Sequence, residues 1–150
     1  MLDARFFQSG MQTLRQIEFA LFDLSIHKHN PALNAAQVQA TLDDIRQKYA
    51  VAPTASYNRF QHSFSHIFAG GYAAGYYSYK WAEVLASDAF DRFEKEGVFN
   101  IQTGKEFRQF ILAVGGKDTA LDAFINFRGR EPKIDALLRH QGWTNASKNT

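Results

Sequence analysis

The sequence predicts an all-α protein of about six helices, and three observations carry that reading. Apolar residues recur three and four positions apart along most of the chain. Residues that start and stop helices punctuate those stripes. No stretch alternates apolar and polar residues over the length of a strand.

The first helix is expected from about Asp3 to His27, with Phe7, Met11, Leu14, Ile17, Leu21 and Leu24 on one stripe. A second stripe, Phe19, Phe22 and Ile26, joins it late, and a helix apolar on two faces requires neighbours on both. After Pro31, Asn34 with Gln37 forms a capping box for a second helix that points Val38, Leu42, Ile45 and Tyr49 inward. From Val51 to about Gly71 the helical pattern fails, and a long irregular stretch in a compact chain is more often functional than filler.

A third helix is expected to follow Gly71 and run to about Glu96, ended by Gly97, with Tyr79, Ala82, Ala86, Phe90 and Phe93 on one face. Tyr77, Trp81, Val84 and Leu85 lie on another. Thr103 to Glu106 reads as the capping box of a fourth helix carrying Phe107, Phe110, Ile111 and Val114, closed by Gly115 and Gly116. Thr119 with Asp122 opens a fifth, with Leu121, Phe124 and Ile125 inward, stopping at Gly129. Pro132 in a first turn opens a sixth, with Ile134, Leu137 and Leu138 inward, stopping at Gly142.

At 150 residues the chain fits a single helical domain. A net charge of +2 and the lack of a Lys/Arg block argue against a nucleic-acid partner. The absence of cysteine removes thiolate zinc sites and cysteine nucleophiles. No apolar run is long enough to cross a bilayer, so no membrane partner is expected and the reading is cytoplasmic.

Two constellations resemble sites and are read as structural. His62 and His66 stand four apart, the histidine spacing of the zinc motif H-E-x-x-H, but Ser63 occupies the Glu position and no third ligand is near. Arg128 and Arg130 could hold an anion, yet such a pair more often caps carbonyls or meets local acids such as Glu131. The densest signal is Ala69-Gly70-Gly71-Tyr72-Ala73-Ala74-Gly75-Tyr76-Tyr77-Ser78-Tyr79. Were the stretch from Tyr72 helical, Tyr72, Tyr76 and Tyr79 would share one face, and phenols beside a glycine-rich turn can donate to a developing oxyanion. Composition alone leaves the alternative that these tyrosines are packing residues.

The stretch His66 to Tyr79, followed by Trp81-Ala82-Glu83-Val84, resembles the glycine/tyrosine loop of the thimet-oligopeptidase family. Leu14 to Phe19, Phe127 to Pro132 and His140 to Gly142 extend the likeness over nearly the whole chain. The resemblance implies the C-terminal portion of a larger, mostly helical zinc-peptidase catalytic domain that hydrolyses short cytosolic peptides. Its implied partners are those peptides and the upstream part of the same domain. Zinc is the implied cofactor of the full-length enzyme, held by an H-E-x-x-H helix and a downstream Glu. This sequence contains no such motif, so the chain alone is expected to hold no metal and to be inactive.

By position, the resemblance implies catalytic roles for His66, Tyr72 and Tyr79, with Tyr79 and His66 donating to the oxyanion. Gly70 and Gly71 would let the loop close over the peptide backbone, and Tyr76 is a weaker substrate-side candidate. The rival reading is a stand-alone helical module that binds peptides or partners without catalysis.

Overall fold

The computed structural model describes residue 4, residues 6–29 and residues 31–144, and among these it contains seven α-helices and no strand. The all-α class therefore holds. The helices are α1 (Ser9–His27), α2 (Ala35–Tyr49), α3 (Ser65–Phe68), α4 (Ser78–Glu96), α5 (Ile101–Phe107), α6 (Ala120–Arg128) and α7 (Asp135–His140). The seventh is the four-residue α3, inside the stretch where no helical pattern is legible. The chain divides into two compact units, Met1–Lys80 and Trp81–Thr150.

In the first unit α1 packs on α2. The regular helix begins at Ser9, after a left-handed Gln8, whereas Asp3 lies outside the described residues. Of the two apolar stripes of α1, the late one faces inward. Phe22 is fully buried, and Phe19 and Ile26 pack beside it with Leu42, Ile45, Phe64, Ile67 and Tyr76. Phe7, Met11, Leu14 and Leu24 of the first stripe are exposed. The predicted Asn34–Gln37 capping box is present in both directions, at 3.0 and 2.9 Å. Tyr49, expected inward, is exposed because its turn of α2 overruns the end of the core. The irregular stretch is not a loose excursion: Phe60, Phe64 and Ile67 drive it into the core, through a 3-10 turn (Phe60–Ser63) and α3.

In the second unit Ala89, Phe124 and Phe127 form a core flanked by Leu85, Phe93, Phe107, Phe110 and Ile111. Several expected faces shift here. Ala82, Ala86 and Phe90 of α4 point outward, and its inward face carries Asp88, Ala89 and Asp91. The cap of α5 is Asn100, whose side chain accepts from the Gln102 and Thr103 N–H groups. Thr103, expected to cap, is buried one turn inside and donates to Glu96. After α5 the chain widens into a π-helical segment, Arg108–Leu112. Thr119 caps α6 as expected, but Leu121 is exposed and Phe127 takes its place inside. α7 buries Ala136 and leaves Ile134 exposed.

Buried acids explain why α4 turns a polar face inward. Asp88 is 1% exposed and accepts from Arg128 (3.0 Å), Arg130 (2.6 Å) and the Lys133 N–H (2.7 Å). Asp91 accepts from Arg128 (2.9 Å), Arg139 (3.0 Å) and Lys95 (2.7 Å). The Arg128/Arg130 pair thus meets acids within its own unit, supplied by α4; towards Glu131 it reaches only the backbone oxygen. Burial pushes both carboxyls up, but the cations and N–H donors outweigh it and hold them below the ordinary carboxylate range. A lowered folded pKa gives stability that is complete above the unfolded value and lost as pH falls through the folded one. Asp88→Asn is therefore expected to flatten the fall in denaturant midpoint below about pH 4. The same variant should cost roughly 3–5 kcal/mol at neutral pH, because it strands buried cations. An acid limb as steep as wild type would remove Asp88 from this role.

Candidate functional site

The glycine/tyrosine loop is built from the end of α3 to the start of α4, within the first unit. α3 closes with the Ala69 and Gly70 N–H groups both donating to the Ser65 carbonyl, at 2.7 and 2.8 Å. The Tyr72 N–H then reaches back to the His66 carbonyl at 3.1 Å. This closure explains the paired glycines. A Cβ on Gly70 would lie 2.9 Å from the His66 carbonyl oxygen, and Gly71 has φ +78°, where side chains are disfavoured.

Tyr72 lies outside any regular element and Ala73 to Tyr77 is a succession of turns, with helix starting only at Ser78, so the predicted route to a shared tyrosine face is wrong. The grouping nevertheless forms, by a different path. The Gly75 N–H donates to the Tyr72 carbonyl (2.8 Å) and the Tyr79 N–H to the Tyr76 carbonyl (3.2 Å). Ala74 adopts φ +53°, a left-handed conformation that costs a non-glycine residue about 1–2 kcal/mol. The result stacks Tyr72 on Tyr79 with centroids 5.1 Å apart and interplanar angle 28°. His66 lies 6.4 Å from Tyr72 and 6.5 Å from Tyr79, ring to ring.

His66, Gly70, Gly71, Tyr72 and Tyr79 are all exposed, the two phenols at 37% and 40%. Tyr76 lies beneath them as a floor, 8% exposed, its ring edge-on to His66 at 5.9 Å and 5.1 Å from Tyr79. Its hydroxyl donates to Gln16 at 2.9 Å. Burial pushes the Tyr76 phenol up, partly offset by Arg15. Tyr79 is also raised, first by hydrogen bonding with the Tyr72 phenol and then by desolvation.

Three residues to which the sequence reading assigns no role in this loop support it. Asp23 of α1 is fully buried and accepts from the Ala74 N–H and the Tyr76 N–H, each at 2.9 Å. His27 Nδ1 stands 2.8 Å from the same carboxylate. Gln16 holds the Tyr76 hydroxyl. The available signal was Asp23 itself, an acid beside Phe22 in the stripe that faces inward, since a buried carboxylate must have donors. His62 lies apart in the 3-10 turn, separated from His66 by Phe64, whose ψ of 66° breaks helical register. Among the described residues no group of three or more His, Cys, Asp or Glu side chains is placed to hold a metal ion. No helix among them is long and apolar enough to cross a membrane.

Replacing Tyr72 by Phe keeps the stacked ring and removes the hydroxyl that raises Tyr79. The Tyr79 pKa is expected to fall towards that of a free phenol in Tyr72→Phe, read by NMR titration of isotope-labelled tyrosine. An unchanged Tyr79 titration would show that the two phenols do not communicate.

The model of peptidase family M3 matches residues 1–143. Oligopeptidase A of Escherichia coli is 53% identical over 142 residues, covering 95% of this chain and 21% of that protein. A probable cytosolic oligopeptidase A of Arabidopsis thaliana is 48% identical over 151 residues, covering 98% of this chain and 22% of that protein. Dipeptidyl carboxypeptidase of Escherichia coli is 33% identical over 147 residues, covering 95% and 21%. The chain thus spans about a fifth of the length of the curated relatives it matches. With nearly all of its residues under the family model, this chain belongs to peptidase family M3.

Proposed function

We propose that this chain is the C-terminal portion of an oligopeptidase that hydrolyses short peptides in the cytoplasm, and that its glycine/tyrosine loop meets the scissile bond. The observation that carries the reading is the convergence of His66, Tyr72 and Tyr79, exposed on one side of a buried Tyr76. Buried packing residues would not leave two stacked phenols more than a third exposed beside an imidazole.

Tyr79 Oη–H and a His66 ring N–H donate to the oxyanion that forms when water adds to the carbonyl. Tyr72 stacks on Tyr79 and holds its ring in place, and Tyr76 with Gln16 fixes the floor on which both stand. Gly70 and Gly71 let the loop close over the peptide backbone: Gly70 permits the tight turn against His66, and Gly71 presents no side chain to the open side.

Zinc is the family's expected Lewis acid and water activator. The likeness to the family supports assigning its ligands, an H-E-x-x-H helix and a downstream Glu, to a part of the protein outside this chain. The exposed residues Met11, Leu14 and Leu24 on α1, with Phe7 just before it, form the surface that this upstream part would cover, which makes it the chain's principal partner. Cytoplasmic location follows the plant relative named as cytosolic.

In a full-length enzyme containing this segment, Tyr79→Phe is expected to lower turnover by about 10²–10³. KM should change little, because the lost interaction belongs to the transition state. Steady-state kinetics on one short peptide, with a melting curve for each variant, give the test. Unchanged turnover with a shifted melting temperature would move Tyr79 from the site to the packing.

A further inference from the structure

We propose that Asp23 is a positioning residue for the His66–Tyr72–Tyr79 cluster, its buried carboxylate holding the Ala74–Tyr76 turn in the register that lays Tyr72 on Tyr79. The inference rests on the proposed role of that cluster and adds a residue on a different helix, 51 and 53 positions from the N–H groups it binds.

The connection is short and continuous. Oδ1 accepts from the Ala74 N–H and Oδ2 from the Tyr76 N–H, so the two oxygens span the turn. The Tyr76 carbonyl accepts from the Tyr79 N–H, and the Tyr72 carbonyl accepts from the N–H of Gly75, which lies between the two anchored residues. Each exposed phenol is therefore one backbone hydrogen bond from the anchored turn. Ala74 shows why an anchor is needed. A left-handed alanine persists only where its surroundings over-determine it, and its own N–H is bound to Asp23. His27 also holds the carboxylate, with Nδ1 2.8 Å from Oδ1, the oxygen that accepts from Ala74. All of these groups lie in the first unit.

The test uses the full-length peptidase and the titration of Tyr79, so that geometry and catalysis are read separately. Asp23→Asn keeps the shape but sets an NH2 against a backbone donor. Turnover should fall roughly 10²-fold with KM shifted by less than about threefold, and the Tyr79 pKa should drop towards the ordinary phenol value. Adding Ala74→Gly to Asp23→Asn should restore about tenfold of the turnover, because glycine holds the left-handed turn unaided. A purely structural aspartate would show no such rescue. Should Asp23→Asn not fold, Ala74→Val at an exposed position disturbs the same turn without touching the core, and the same two shifts are expected. In a Tyr79→Phe background Asp23→Asn should add less than about threefold, since both losses run through one donor.

Normal turnover and normal Tyr79 titration in folded Asp23→Asn, beside a slow Tyr79→Phe, would overturn the positioning role and leave the donor role standing. A shifted Tyr79 titration in Asp23→Asn, beside a fully active Tyr79→Phe, would overturn the donor role while supporting the anchor.

Discussion

A carboxylate with no exposure to water must find donors, and a neighbouring cation is one common source. Asp23 instead takes two of its three from the backbone of a distant turn. That choice fixes the loop more tightly than a side-chain pair would, because N–H groups have no rotamer freedom of their own. The turn carries a left-handed alanine, the alanine is tied to the carboxylate, and the exposed tyrosines stand on either side of it. The core of the first unit serves the same end: Phe22 and Ile67 bury the frame of the loop, while His66, Tyr72 and Tyr79 keep their polar edges open.

The second unit uses buried acids differently. Asp88 and Asp91 bind arginines 128, 130 and 139, each of which follows the α6 core residues Ala123, Phe124 and Phe127 in the chain. Arg92 extends the scheme, reaching Glu106 at 2.6 Å, the Phe127 carbonyl at 2.7 Å and the Phe127 ring face at 4.9 Å. Charged pairs buried to this degree add little net stability over apolar packing, but they penalise every alternative arrangement that would leave one partner alone. These groups hold short helices together within the second unit, although the buried Arg128 Nε makes no hydrogen bond.

Much of the fold was legible because helical periodicity and capping are local. Asn34 with Gln37 and Thr119 with Asp122 act as their spacing implies. The cap at Asn100 was hidden because Thr103 to Glu106 offers the same chemistry three residues later, and only burial of Thr103 separates the two. Which stripe of α1 faces inward could not be read from a helix apolar on both sides, since the answer depends on α2 and the packed irregular stretch. The candidate site was legible as a set of residues, through the likeness of residues 66–79 to a known loop, and illegible as a geometry. Spacings of four and three suggest a helix face, whereas the chain reaches the same grouping through a turn with positive φ at Ala74. The anchor was hidden for a stronger reason: nothing local to Asp23 names Ala74 and Tyr76 as its partners.

Amide hydrogen exchange at Ala74 and Tyr76 tests the central claim most directly, because it observes the two bonds themselves. Both sit in turns outside any helix, where unanchored N–H groups exchange at nearly the free-chain rate. The account predicts protection comparable with the interior of α1, confined to these two positions within the turn Ala73 to Tyr76 apart from the bonded Gly75. Free-chain exchange at Ala74 and Tyr76 in the folded protein would contradict it.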